Sequence, residues 1–353
     1  MKILVLGGTG AMGVHLVELL SKNKDNQVVV SSRRKLVGKG NLSYVQGNAH
    51  DLNFLYLLLK DKYDVIIDFM NYRTAEFKER YRKLLSSCGQ YVFLSSSRVY
   101  ANSERPITED SPRLLDVVQD QKYLSTDEYA LAKARQENLL RDSEYTNWTI
   151  IRPYITYSEN RLQLGVLEKE AWLYRALHGH TIVFSKDISD HSTTLTYGLD
   201  VARAIIALVG REEAKGEAFH ITTSNSIAWK VVLDIYLDVL EVKLKVRPNV
   251  IMTDLSLNLQ SDRAKYQVLY DRHFNRCFDN SKINRFIDIS TFRNPKEGLY
   301  ACLTHFCESP IFNWINWGQE AKFDRLAGEL SSIMRIPSIK QKVKYSLYRY
   351  IIK

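Results

Sequence analysis

The sequence predicts an α/β fold built on a doubly wound parallel sheet, and three observations carry that reading. The chain starts with an apolar run, Ile3-Leu4-Val5-Leu6, followed at once by glycines at 7, 10 and 13 and by a helical pattern at Val14, Val17 and Leu20. Short apolar runs then alternate with helical periodicity over the first hundred residues, the order that produces crossover connections between parallel strands. No run is long enough to read as a membrane-spanning helix.

The first strand, Ile3 to Leu6, is the kind of run that fills the middle of a parallel sheet. The turn Gly7-Gly8-Thr9-Gly10-Ala11-Met12-Gly13 has the spacing G-x-x-G-x-x-G. Strand, glycine turn and helix together form the context in which a glycine motif signals dinucleotide binding. The backbone must come close to a pyrophosphate, whose charge then rests at the helix N-terminus. Gly7, Thr9, Gly10, Ala11, Met12 and Gly13 are therefore predicted to hold the cofactor; the competing reading is a tight turn with no ligand.

The second strand, Val28 to Ser32, ends in Arg33-Arg34-Lys35. An acid at this place would hydrogen-bond the ribose hydroxyls of NAD. Here Ser32 precedes two arginines, whose guanidinium forks suit a 2′-phosphate. NADP is the expected cofactor, with NAD the second choice and a solvated charge run the competing reading of the arginines. A third strand is expected over 44–48, with Asn48 and Ala49 at its end placed to read a base edge. A helix follows over 52–60, a fourth strand over 65–71 and a helix from Thr74 to Cys88 closed by Gly89. The fifth strand, Tyr91 to Leu94, runs into Ser95-Ser96-Ser97-Arg98-Val99-Tyr100. In such sheets ligands bind at the carboxyl ends of the strands, which nominates Phe69, Met70 and Asn71 as cofactor residues beside Ser32 and Asn48.

The chemistry arrives at Tyr129-Ala-Leu-Ala-Lys133, inside a helix expected over 127–141. A spacing of four puts phenol and ammonium on one helix face. Tyrosine, with an ordinary pKa of about 10, is a poor base at neutral pH. A neighbouring lysine and a positive nicotinamide favour the phenolate and bring it into range. A serine hydroxyl at the end of the fifth strand can hold a substrate oxygen. Y-x-x-x-K alone is a weak signal; after a glycine-rich turn and a strand-end serine triplet it becomes specific.

Composition narrows the class. The 353 residues carry 49 Lys+Arg against 40 Asp+Glu, a net charge of +9, which suits an anionic ligand, nucleic acid or an acidic membrane surface and selects none of them. The four cysteines, Cys88, Cys277, Cys302 and Cys307, are scattered and read as reduced thiols of a cytoplasmic protein. No histidine joins them in a zinc-like spacing, so no metal is expected. The first apolar run is too short for a signal peptide.

These motifs resemble the extended short-chain dehydrogenase/reductases, the NAD(P)-dependent epimerase/dehydratase group. The residues that carry the resemblance are Gly7 to Gly13, Ser95 to Tyr100, Tyr129 to Lys133, Ile151-Arg152-Pro153, Leu199 to Arg203 and Gly216 to Ile221. It covers about residues 1–300 and implies a Rossmann cofactor domain over 1–155, its sheet completed by about 190–222. It also implies a smaller, interleaved C-terminal substrate lobe over 156–330. Carried over by position, Tyr129 is the acid/base, Lys133 orients the nicotinamide ribose and lowers the phenol pKa, and Ser96 is the catalytic serine. Pro153 joins the cofactor residues. The substrate so implied is a nucleotide sugar.

Two departures matter. Dehydratases of the group carry Thr-Asp-Glu where this chain has Ser96-Ser97-Arg98, so the acidic pair that eliminates water is missing. The segment His191 to Tyr197 lacks the arginine that often grips the diphosphate, a role left to Arg161, Arg263 or Lys265. Segments 219–230 and 278–283 are similar to the branch that contains chloroplast stem-loop RNA-binding proteins. There Arg263, Lys265, Arg272 and Arg276 read equally as an anion site or a solvated loop.

The expected function is an NADP-dependent sugar epimerase or reductase acting by Tyr/Lys-assisted hydride transfer. The alternative is a cofactor-binding relative that works as an RNA-binding or regulatory protein. The retained Ser96, Tyr129 and Lys133 favour the enzyme, and the absence of an aromatic-interleaved basic sheet motif makes nucleic acid a weak partner. The tail, 331–353, is basic and amphipathic. After Pro337 a helix places Ile339, Val343, Leu347 and Ile351 on one stripe with lysines beside it. The stripe reads as docked on the protein body or on a second subunit of a homodimer, or as a peripheral membrane contact.

Overall fold

A computed structural model of the chain describes residues 1–259 and 264–352. It divides into two compact units, Met1–Thr156 with Thr194–Asn225 and Arg276–Arg293, and Tyr157–Thr193 with Ser226–Asn275 and Asn294–Lys353. The tail, set apart in the sequence, folds with the second unit.

The first unit is a seven-stranded parallel sheet. Its strands are β1 (Lys2–Leu6), β2 (Gln27–Ser32), β3 (Leu42–Gln46), β4 (Tyr63–Asp68), β5 (Cys88–Leu94), β6 (Trp148–Pro153) and β7 (Glu217–Ile221), in the spatial order β7-β6-β5-β4-β1-β2-β3. The reversal of direction beside β1 brings the ends of β1 and β4 together, in register Leu6 to Asp68. Alternate residues of β1 face opposite layers. Ile3 and Val5 pack with Leu16, Val17 and Leu20 of α1 (Gly13–Lys22) and with Val201 and Ile205 of α5 (Gly198–Leu208). Leu4 and Leu6 pack with Leu55 of α2 (Leu52–Leu58), Phe77 and Leu84 of α3 (Thr74–Ser86) and Leu140 of α4 (Tyr129–Arg141). Both faces are covered, which is why these strands read as unbroken apolar runs.

Several boundaries differ from expectation. β3 and β4 end earlier, at Gln46 and Asp68, because side chains take over the backbone pairing. The Asn48 Oδ1 accepts from the His50 N–H at 3.2 Å and the Asp68 Oδ1 from the Met70 N–H at 2.9 Å, turn-forming bonds that compete with a strand. Helix α3 stops at Ser86, and Gly89 lies inside β5 instead of capping the helix. Helix α4 starts at Tyr129, not at 127, because the Glu128 carboxylate accepts the Ala130 N–H at 2.8 Å as its cap. In α1 the buried positions are Leu16, Val17 and Leu20, while Val14 is exposed.

The second unit is mainly helical, with α6 (Trp229–Leu244), α7 (Pro295–Glu308), α8 (Trp317–Ala327) and α9 (Ile339–Tyr350), a helix over Lys169–Leu177, and a parallel strand pair, Ile182–Ser185 with Val250–Thr253. Trp172 stacks on Tyr236 with ring centres 4.5 Å apart. Buried Arg175 donates to Glu320 (2.7 Å), Asp324 (2.8 Å) and Glu329 (2.9 Å). His180, Asp324 and Glu329 hold their ligand atoms within 4.8 Å of one another, but the Arg175 guanidinium already serves both carboxylates. The tail helix α9 docks on α8 through a face opposite the aliphatic stripe. Tyr345 is buried with Trp317, Ala321 and Ile336, its hydroxyl donating to Asp324 at 2.6 Å and accepting from the Ser331 N–H at 3.0 Å. Docking of the stripe on the protein body is thereby corrected: Ile339, Val343, Leu347 and Ile351 are all exposed. Tyrosine supplies a ring for packing and a hydroxyl for the buried carboxylate, which an aliphatic row cannot.

Candidate active site

At the carboxyl ends of β1, β2, β3 and β4 lies a cavity of about 350 Å³, lined by Gly7, Thr9, Gly10, Ser32, Arg33, Asn48, Ala49, Phe69, Met70 and Asn71 together with Ser31, Gly47 and His50. Ten of the predicted cofactor residues thus converge on one space. The glycine turn has the shape that the motif requires. Gly7 has φ +72°, and a Cβ on Gly13 would lie 2.7 Å from the Gly8 carbonyl carbon, so α1 can approach the turn only through a glycine. Gly10 has nothing within 4 Å of an added Cβ; its backbone faces open space, as an approaching pyrophosphate needs. The residues present therefore fit a dinucleotide. Arg33 lines the cavity, whereas Arg34 is exposed outside that lining.

Ser31, Gly47 and His50 were missed in the sequence. The Ser31 hydroxyl accepts from the Gly7 N–H at 3.3 Å, and His50 Nδ1 lies 3.3 Å from Glu76. Their places depend on strand ends meeting in space. The one available signal was position, since each neighbours a nominated residue.

Lys133 is fully buried. Its Nζ donates to the Leu94 carbonyl at 2.8 Å and the Met70 carbonyl at 3.4 Å, and stands 6.0 Å from the centre of the Tyr129 ring. The Leu94 carbonyl ends β5 and the Met70 carbonyl lies just past the end of β4, so one ammonium ties the helix to the cofactor end of the sheet, with Met70 common to it and the cavity. Desolvation pulls the Lys133 pKa down to about 8, although the charges of Asp68 and Glu137 oppose it. Asp68 is itself buried, accepts from Tyr91 Oη at 2.8 Å, and is pushed up by desolvation. Arg98 holds its guanidinium 5.4 Å from the Tyr129 ring centre and pairs with Glu128 at 2.7 Å.

The serine triplet divides its work. Ser95 Oγ donates to Glu137 at 2.5 Å and Ser97 Oγ to the Arg152 carbonyl at 2.7 Å. Ser96 Oγ accepts from the Arg98 N–H at 3.2 Å, which leaves its own proton to donate. Two hydroxyls are spent on the fold, and Ser96 is the one that fits a substrate oxygen. Glu137, one turn beyond Lys133, receives Arg152 through two bonds of 2.8 and 2.6 Å, and Arg152 also donates to Tyr100 Oη at 2.9 Å. Arg152 of the Ile-Arg-Pro match is thus a structural residue.

Other predicted residues lie outside the cavity lining. Met12 Sδ is 3.6 Å from Thr156 Oγ1, Ala11 lies within the glycine turn, and Pro153 is the buried last residue of β6, in register with Ile221. The proposed anion arginines are corrected. Arg276 is buried and donates to the Tyr100 and Ala101 carbonyls at 3.1 and 3.0 Å, and buried Arg272 donates to the Gly165 carbonyl and pairs with Asp271. Arg161 pairs with Glu168 at 3.6 Å, Lys265 is exposed, and Arg263 lies outside the described residues.

The model of the NAD dependent epimerase/dehydratase family matches residues 3–222. A curated relative, the chloroplast stem-loop binding protein of 41 kDa b of Arabidopsis thaliana, is 28% identical over 245 residues, 65% of this chain. The chain spans about 60% of that relative's length. Among solved structures, the UDP-glucuronic acid 4-epimerase of Bacillus cereus, crystallised with UDP-glucuronic acid and NAD, superposes with a TM-score of 0.64 at 18% identity, covering 87% of this chain and 99% of its own. WbmH of Bordetella bronchiseptica in complex with NAD+ gives 0.66 at 18% identity, over 88% and 99%. Epimerase Mth375 of Methanothermobacter thermautotrophicus gives 0.67 at 17%, over 87% and 92%. At these identities the structures establish a shared Rossmann-type fold.

Proposed function

Because the chain belongs to the NAD dependent epimerase/dehydratase family, we propose that it is an NADP-dependent epimerase or reductase of a nucleotide-sugar-like substrate. The observation that carries the proposal is the buried Lys133 ammonium, anchored on the Leu94 and Met70 carbonyls 6.0 Å from the Tyr129 ring and joined through Met70 to the dinucleotide-shaped cavity. A desolvated ammonium is costly to the fold, and its use is electrostatic.

The turn Gly7 to Gly13 would hold the pyrophosphate, Asn48 and Ala49 the adenine side, and Arg33 a 2′-phosphate. The bound nicotinamide supplies the acceptor and donor of a hydride. Tyr129 Oη takes the proton from a sugar hydroxyl as that carbon is oxidised and later returns it. Lys133 stabilises the phenolate, and Ser96 Oγ–H holds the substrate oxygen in line. Arg98, where a dehydratase carries an acid, adds positive charge beside the ring and offers no base for abstracting a carbon-bound proton. This supports epimerisation or reduction over loss of water. The structural relatives named for UDP-glucuronic acid 4-epimerase activity support a nucleotide-sugar substrate, and the scattered reduced cysteines support a cytoplasmic setting.

A second reading, RNA binding, has one observation in its favour, the stem-loop binding name of the Arabidopsis relative. One experiment separates the two: the purified chain is incubated with NADP+ or NAD+ and a panel of nucleotide sugars, following absorbance at 340 nm and the sugar products. Conversion by the wild type and none by Tyr129→Phe is expected. Nucleic acid that copurifies with the chain, together with no conversion of any sugar, would replace the enzyme reading by the second one.

A further inference from the structure

Docking of α9 through Tyr345 leaves its aliphatic side unpartnered. Ile339 (81%), Val343 (53%), Leu347 (38%) and Ile351 (70%) are exposed on one stripe, Tyr350 (67%) lies at helical spacing with Val343 and Leu347, and Met334 (94%) just before the helix is more open still. Isolated apolar residues on a surface are ordinary, but a contiguous row of this kind marks something to be covered.

The charge around the row says what covers it. Residues 331–353 contain Arg335, Lys340, Lys342, Lys344, Arg349 and Lys353 and not one carboxylate side chain. Lys344 and Arg349 turn toward the docked side, where Lys344 donates to Asn316 at 3.1 Å and Arg349 to the Glu329 carbonyl at 3.2 Å. By the helical period Lys340 falls within the arc of the stripe and Lys342 lies beyond its Ile339 edge. A second copy laid against the stripe would bring these lysines together with no acid in the segment to answer them. An anionic bilayer supplies both needs, phosphate headgroups for the cations and an acyl boundary for the aliphatic row and the Tyr350 ring. Among the described residues no helix is long and apolar enough to cross a membrane, and twelve residues of α9 span about 18 Å, so the helix can only lie in the interface plane.

We propose that α9 is an interfacial anchor that lays its Ile339–Val343–Leu347–Ile351 stripe on an anionic phospholipid surface while Tyr345 holds it to α8. The full chain is sedimented with vesicles of phosphatidylglycerol and phosphatidylcholine in equal parts, and with phosphatidylcholine alone, at low and high salt. The wild type should partition to the anionic vesicles roughly tenfold or more above the neutral ones, an excess that high salt removes. Val343→Glu/Leu347→Glu, placed away from the docked face, should lose that partition with an unchanged melting temperature. Lys340→Gln/Lys342→Gln should lose most of the salt-sensitive part. Equal pelleting of the wild type and both double variants overturns the proposal. So does a concentration-dependent dimer that the glutamates dissociate in the absence of lipid binding, since a second copy then covers the stripe. If the glutamate variant fails to fold, the glutamine variant decides alone: unchanged binding to anionic vesicles overturns the anchor.

Discussion

Replacing Lys133 with Met tests the buried ammonium through stability rather than activity. The fall of its pKa from an ordinary 10.5 to about 8 corresponds to roughly 3 kcal/mol at about 1.36 kcal/mol per pH unit. Below pH 8 the lysine is charged in both folded and unfolded chains, and the fold bears this penalty in full. Between about 8 and 10.5 the unfolded chain binds more protons than the folded one, so this group makes stability rise with pH. Above 10.5 the penalty is gone. Methionine keeps the stem and removes the titration, so urea unfolding of wild type and Lys133→Met from pH 7 to 10.5 should show two diverging profiles. The wild type should gain roughly 3 kcal/mol relative to the variant across that window. The absolute difference at pH 7 also contains the stranded Leu94 and Met70 carbonyls, each about 1–3 kcal/mol, so the slope is the informative quantity. Parallel profiles would refute the placement of a desolvated charge at this point. The same variant should be inactive, which makes Lys133 a residue whose cost to the fold is retained for its chemistry.

Other outcomes follow from the same contacts. Tyr129→Phe should lower turnover by about 10²–10⁴ with cofactor affinity unchanged by isothermal titration; activity near wild type would remove Tyr129 from the reaction. Arg33→Ala should weaken NADPH by roughly tenfold to a hundredfold and leave NADH nearly unchanged, and Arg34→Ala, outside the cavity lining, should do much less. Equal melting-temperature shifts with NADPH and NADH in the wild type would favour the solvated-arginine reading. Glu137→Ala should cost about 3–5 kcal/mol by leaving the Arg152 charge buried and unpaired, and Glu137→Leu/Arg152→Met should cost less than that single change; denaturation midpoints that fall equally would contradict the role assigned to the pair.

The parts of the site legible in the sequence are those fixed by local spacing. Gly7 and Gly13 are bound to one turn by steric need, Gly10 is read from its spacing with them, and Tyr129 and Lys133 share a face because a helix repeats every 3.6 residues. Ser96 was separable from its neighbours by motif position, and the structure supplies a physical reason in the bonds made by Ser95 and Ser97. His50, Ser31 and Glu137 were not legible. Glu137 in Gln136-Glu137-Asn138 reads as a solvated helix residue, and only the approach of Arg152 from β6 makes it part of the interior. Arg272 and Arg276 misled for the converse reason: a cluster of cations in sequence says nothing of the carbonyls that wait for them. The tail was half legible. Its stripe was visible by period, but which face docks was decided by a carboxylate on another helix.

The Glu137–Arg152 knot has a consequence for how α4 behaves. Glu137 is gripped from the serine turn by Ser95 and from β6 by Arg152, while Lys133, one turn earlier, is gripped from β5 and from just past β4. Two successive turns of α4 are therefore pinned to β5, β6 and the segment just past β4, and the helix can neither roll nor slide without breaking a buried charge pair. The position from which α4 carries Tyr129 is thereby set at folding. Such stiffness also restricts how the site can change. A new substrate would have to be met by residues borne on other segments, because a substitution that shifts α4 by even a fraction of a turn would cost stability before it altered chemistry.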